Sequence, residues 1–229
     1  MLIEPIAHIR TSFPEKFGIP RQSGLAPSSE GLIVFEPQFR NPDAVRGLAE
    51  FDFIWLIWEF SANRYSGQKK WQPTVRPPRL GGNKAMGVFA TRSPFRPNPL
   101  GLSSVRLVGI DFDCPDAPVI KVSGADLMDG TPIYDIKPYI SYADSHPDAA
   151  CGYVDSLKER SLIVRFADSS IEELARSRFG ESFDGLVEVL SLDPRPSYQD
   201  DPERIYGLTY SGINLHFKVS EGVLTVTSI

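Results

Sequence analysis

Cysteine and histidine are scarce in this sequence, with two and three among 229 residues. Cys114 and Cys151 stand far apart and form no CxxC pair, which argues against a disulfide framework and against a zinc site. His8, His146 and His216 share no ligand spacing, so no metal is expected. Long hydrophobic runs are missing too. The longest, Phe53 to Trp58, falls far short of the roughly 18 residues that a membrane span needs and reads as a buried strand. The opening "MLIEPIAHIR" lacks the shape of a signal peptide, and a cytoplasmic protein with no membrane partner is expected. There is no GxSxG elbow, no P-loop, and no GxGxxG opening a βαβ unit. "LGGNKAMG" has the glycines without the spacing or the flanking strand and helix. These absences remove the common routes to a hydrolase, an NTPase and a Rossmann-type enzyme.

The absence of acid over one stretch says more. Residues 60–110 hold nine basic side chains and no acidic one, whereas the formal charge of the whole chain is −5. By segment the charge is −3 over residues 1–59, +9 over 60–110 and −11 over 111–229. A local block of one sign steers a polyanion whatever the average, because the field that acts is the local one. A solvated loop face is the plainer alternative, although such faces usually mix signs. Trp71 and Phe95 are interleaved with the arginines and lysines, each able to stack on a base or to join the core. Within the block, "GVFATRSPFRPNPLGLSSVRL" (87–107) carries three prolines. Proline fixes φ and removes a donor, so residues 93–99 should form a stiff loop that presents Arg92 and Arg96.

Strand signals dominate the first two thirds. Residues 31–36, 52–61, 86–90, 103–110 and 119–123 are rich in β-branched or aromatic residues and bounded by Pro, Gly, Asn or Asp. Many short strands without long helical periods imply a barrel or a sandwich. One short helix is expected near residue 42, with Asn41 as cap, Pro42 in the first position and Ala44, Val45 and Leu48 on one face. A second unit begins near Gly152. It should contain a strand over 161–166, a helix from Ser170 to about Arg178 capped by Ser169, and a second helix over 182–190. A hairpin closes it, with Ile213, Leu215, Phe217 and Val219 on one face and Asn214, His216 and Lys218 on the other.

Three polar constellations remain: Pro20, Arg21 and Gln22 in "FGIPRQSGL"; Arg92 and Arg96 in "TRSPFRPNPLG"; and Asp126 and Asp129 in "GADLMDGTPIYDIKPYI". The planar fork of arginine matches a carboxylate or phosphate through two bonds at once, which lysine cannot do. Asp129 before Gly130 also fits an ordinary turn.

Taken together, "FGIPRQ", "WQPTVRPPRLGGNKAMGVFATRSPFRPNPLG", "GADLMDGTPIYDIKPY" and "LDPRPSY" closely resemble the TrmO (TsaA/YaeB-like) family. Its members are S-adenosylmethionine-dependent methyltransferases acting on N6 of threonylcarbamoyl-adenosine, at position 37 beside the anticodon of tRNA. The resemblance implies a mainly β chain: an N-terminal non-Rossmann β-barrel, residues 1–148, and a smaller α+β C-terminal domain, residues 152–229. It further implies a homodimer and a cofactor site made of Pro20, Arg21, Gln22, Ser61, Ala62, Arg92, Leu102, Asp126, Leu127, Met128 and Asp129. Related sequences often carry His-Gln where this chain has Ser61 and Ala62. On that reading Arg92 and Leu102 face the cofactor, and Arg76, Arg79, Arg96, Lys69 and Lys70 face the tRNA anticodon stem-loop. Asp126 or Asp129 would accept the proton that leaves N6. Two rival functions stay open: an RNA-binding module without catalysis, and a methyltransferase for a small anionic acceptor.

Overall fold

Alternation of apolar side chains sets the inward face of the first strands. In β1 (Ala7–Thr11), β2 (Glu30–Phe35) and β3 (Phe53–Glu59), Ala7, Ile9, Ile33, Phe35, Ile54 and Leu56 are buried together. The computed structural model describes residues 2–63, 71–80, 84–157, 161–195, 199 and 201–229. After a small ribbon of β4 (Thr74–Val75) and β5 (Met86–Gly87) come β6 (Leu100–Asp111), β7 (Val119–Ser123) and β8 (Thr131–Pro138). Six of these strands close a barrel in the order β1-β2-β7-β6-β3-β8, every pairing antiparallel. Closure pairs the strand edges and leaves a single interior for the apolar face. The residues alone left a barrel or a sandwich open, and the chain forms a barrel.

Beyond the short helix α1 (Ser141–Asp144), a second unit is built from β9 (Ile163–Phe166), α2 (Ser169–Phe179), α3 (Phe183–Ser191), β10 (Tyr206–Tyr210), β11 (Ile213–Ser220) and β12 (Val223–Ser228). Its sheet runs β10-β11-β12-β9, with β9 parallel to β12. In β11, Leu215, Phe217 and Val219 are buried while Asn214 and His216 are exposed, the alternation read from the sequence. The chain is thus mainly β, an N-terminal barrel with a smaller α+β C-terminal domain.

Local details differ from expectation where a competing hydrogen bond wins. Asp168, rather than Ser169, caps α2: its carboxylate accepts from Ile171 N at 3.0 Å, since a charged acceptor outcompetes a hydroxyl at a helix start. Asn41 does cap, accepting from Asp43 N at 3.0 Å, but the helix is only a 3-10 turn, Pro42–Val45. Gly47 at φ 79° ends it and sets Leu48 in a turn of its own. The strand expected over 86–90 stops at Gly87, where Val88 N turns to donate to Pro73 O and a 3-10 turn, Val88–Ala90, follows.

One segment joins the two units. Residues 12–29 leave β1, enter the second unit and return to β2. Phe13 and Ala26 are buried in the second core, and Phe17 and Ile19 pack against it. Gly18, at φ 90°, lies so close to Leu208 that an added Cβ would sit 2.4 Å from its Cδ1. Glu188 on α3 accepts from Ser28 N at 2.7 Å and from Ser28 Oγ at 2.8 Å. Ser211 N donates to Ser12 O at 2.9 Å. Glu188→Ala should cost about 1 kcal/mol in urea denaturation, the usual net value of such bonds at an exposed site.

Candidate active site

A cavity of about 490 Å³ opens where the joining segment meets the barrel, within the size range of small-molecule and cofactor sites. Four stretches of chain wall it. The joining segment brings Pro20, Arg21 and Gln22; β3 and the turn after it bring Trp55, Trp58, Glu59, Ser61 and Ala62; the Pro-rich loop and the start of β6 bring Arg92, Arg96 and Leu102. Asp126 and Met128 complete the lining from the segment between β7 and β8.

Strand register decides what the carboxylate of Asp126 touches. β3 and β6 pair Trp58 with Gly101 and Leu56 with Ser103. The indole of Trp58 lies over Gly101, so that a Cβ there would stand 2.2 Å from the ring. From this position Trp58 Nε1 donates to Ser103 Oγ at 3.0 Å, and Ser103 Oγ donates to Asp126 Oδ1 at 2.5 Å. Burial pushes the Asp126 carboxyl above its ordinary range, and the bond from Ser103 and the nearby charge of Arg92 pull the other way. Arg92 also donates to the amide oxygen of Gln22, which links the Pro-rich loop to the joining segment. Arg21 donates to Asp193 O at 3.4 Å, a residue of the second unit. Asp193 in turn forms a buried ion pair with Arg195, 2.8 Å apart.

Most of the expected cofactor residues meet here: Pro20, Arg21, Gln22, Ser61, Ala62, Arg92, Leu102, Asp126 and Met128 all line the cavity. Leu127 and Asp129 do not. Residues 126 and 128 face the cavity, whereas the Leu127 side chain is wholly buried in the barrel core. Asp129 is exposed and accepts from Thr11 N at 2.9 Å, beside Gly130 at φ 73°. The turn reading of Asp129 therefore holds, and of the two acids only Asp126 reaches the cavity. Arg96 is also placed differently from a residue projecting toward phosphate. Its guanidinium donates to Thr91 O at 2.7 Å and Val88 O at 3.3 Å, bracing the loop while it lines the cavity. Arg76 is exposed just after β4, away from the cavity wall, and Arg79 belongs to the turn Pro78–Leu80. Lys69 and Lys70 lie outside the described residues.

Sequence reasoning passed over Trp58, Ser103 and Glu59. Glu59 is 9 % exposed and accepts from Tyr134 Oη at 2.7 Å. The signal was present: one acid closes the otherwise apolar run "FIWLIWEF", where a buried charge needs a reason. Among the described residues no three His, Cys, Asp or Glu side chains gather as a metal site, and no helix is long and apolar enough to cross a membrane.

The chain as a whole is similar to known proteins. A family model described as the tRNA-methyltransferase O N-terminal domain matches residues 8–145, and one described as the TrmO C-terminal domain matches residues 159–229. The chain belongs to the TrmO family. A relative from Escherichia coli K12 named tRNA (adenine(37)-N6)-methyltransferase is 39 % identical over 230 residues, covering 99 % of this chain and 96 % of its own. A second, from Pseudomonas aeruginosa, is named a putative S-adenosylmethionine-dependent methyltransferase and is 39 % identical over 219 residues, covering 94 % and 91 %. The crystal structure of TrmO from Pseudomonas aeruginosa superposes with a TM-score of 0.79 at 31 % identity, covering 100 % of this chain and 97 % of that one. In this TrmO-family chain the cavity wall thus combines a buried acid, arginines from two loops and the apolar surfaces of Trp55, Leu102 and Met128.

Proposed function

We propose that this cavity binds S-adenosylmethionine and that the chain methylates N6 of threonylcarbamoyl-adenosine beside the anticodon of tRNA. The observation that carries the reading is the Trp58–Ser103–Asp126 chain facing Arg92 and Arg21 across one cavity. Such a wall fits a ligand with a cationic ammonium, a carboxylate and a flat purine. Asp126 suits the cationic or hydroxyl groups, Arg21 or Arg92 the carboxylate, and Leu102 and Met128 the purine. The bound cofactor supplies a methyl group on a good leaving group. What remains for the protein is alignment, which can contribute up to roughly 7–11 kcal/mol, and acceptance of one proton. Asp126, the acid that reaches the cavity from the segment between β7 and β8, holds that proton-accepting position.

The nine basic residues between 60 and 110 support RNA as the acceptor. A homodimer belongs to this proposal.

Transfer of labelled methyl to two tRNA pools, one carrying threonylcarbamoyl-adenosine and one lacking it, tests the reading. Label should appear only in the first pool and, after digestion, on that nucleoside. Cofactor binding without label in either pool would overturn the tRNA assignment and favour a small anionic acceptor.

A further inference from the structure

Beside the cavity lies an aromatic surface, Trp71 and Phe89, that is not part of its lining. Phe89, in the middle of the turn Val88–Ala90, keeps 71 % of its surface exposed, and Trp71 keeps 48 %. Their rings stack with centroids 6.4 Å apart and planes 22° from parallel. The guanidinium of Arg96 lies 5.8 Å from the Phe89 centroid.

These groups stand on a fastened frame. Val88, the residue before Phe89, is buried, and its N–H donates to Pro73 O at 2.9 Å. Gln72, the residue after Trp71, donates from its N–H to Phe95 O at 3.4 Å. Arg96 is tied by its bonds to Thr91 O and Val88 O. Two large rings left in water on a held backbone are a surface kept ready for a flat partner.

Resting on the tRNA reading above, we propose that Trp71, Phe89 and Arg96 form a stacking platform for an unpaired base next to the one that is methylated. Charge favours nucleic acid as the occupant. Arg76, Lys84 and Arg92 are exposed in the same stretch, in a span without a single acid. The chemistry suits any base, since each offers a π face and the guanidinium adds a cation–π contact. Position follows from Arg96, which touches the Phe89 ring and also lines the cavity, so the stacked base neighbours the reacting one.

The test compares Phe89→Ala, Trp71→Ala and Phe89→Tyr with the unaltered protein. Affinity is measured by fluorescence anisotropy for an anticodon stem-loop and for a fully paired RNA duplex, with S-adenosylmethionine binding by calorimetry and mass by ultracentrifugation. Each alanine variant should bind the stem-loop about 5- to 150-fold more weakly, the range for loss of one stacked base. Phe89→Tyr should restore it, with duplex and cofactor binding unchanged. Unchanged stem-loop affinity in both alanine variants overturns the platform. A shift from dimer to monomer also overturns it, by assigning the rings to a contact between copies. Failure of the unaltered protein to bind the stem-loop would sink the RNA reading itself.

Discussion

Gly101→Ala should collapse the cavity wall although it adds only one methyl group. The new Cβ would lie 2.2 Å from the Trp58 ring, far inside contact distance, and the ring has little room to yield. Trp58 is 7 % exposed, and its Nε1 is fixed by Ser103. Relief requires either a shift of β6 against β3 or expulsion of the indole. Overpacking of this kind typically costs about 1–3 kcal/mol, which denaturant unfolding reads directly. A functional effect of similar size should accompany the stability effect. An expelled indole removes the bond that orients Ser103 Oγ toward Asp126 and takes away part of the cavity wall. S-adenosylmethionine binding should fall by at least about tenfold, the equivalent of one lost hydrogen bond to a charged group. Cofactor binding and stability both unchanged would show that the indole over Gly101 is not part of the site.

Asp126→Asn should separate activity from stability. If the ionised carboxylate accepts the proton, its loss should lower methyl transfer by about 100-fold or more, the lower end of general-base contributions. Stability should move the other way. Burial raises the Asp126 pKa in the folded state above its unfolded value. Its contribution to stability is therefore fully present below the unfolded pKa and is lost as pH rises through the folded one. At neutral pH the charged group is a cost, and asparagine of the same shape removes it. The variant should be at least as stable as the parent at pH 7, with a flatter acid side to its stability curve. Methyl transfer by the parent should rise with pH through the same raised pKa and then level off. A variant that keeps its turnover at saturating S-adenosylmethionine overturns the base role of Asp126 and leaves it a cofactor ligand alone.

Both results depend on how the joining segment is held. Residues 12–29 carry one wall of the cavity but draw their packing from the second unit, through Phe13, Ala26 and the Glu188 clasp. Arg21 reaches the same unit at Asp193 O. The C-terminal domain thus packs against the segment that carries Pro20, Arg21 and Gln22. Its excess of acidic over basic side chains fits this place better than broad contact with phosphate.

Much of this protein was legible along the chain. The strands at 31–36, 52–61 and 119–123 show in their side-chain patterns, because a half-buried strand repeats every two residues and needs no knowledge of its partner. The basic stretch and the stiff loop around Arg92 are properties of composition. The three constellations at 20–22, 92–96 and 126–129 were visible as motifs. Only tertiary structure separated Asp126 from Asp129, turned Arg96 inward as a brace, and brought Trp58, Ser103 and Glu59 into view. Trp58 and Ser103 are 45 residues apart, Gln22 and Arg92 are 70, and Arg21 and Asp193 are 172. For Trp58 and Ser103 the meeting is fixed by strand register, and a one-residue slip would turn either side chain to the opposite face; for the other two pairs it is fixed by how the joining segment packs between the units.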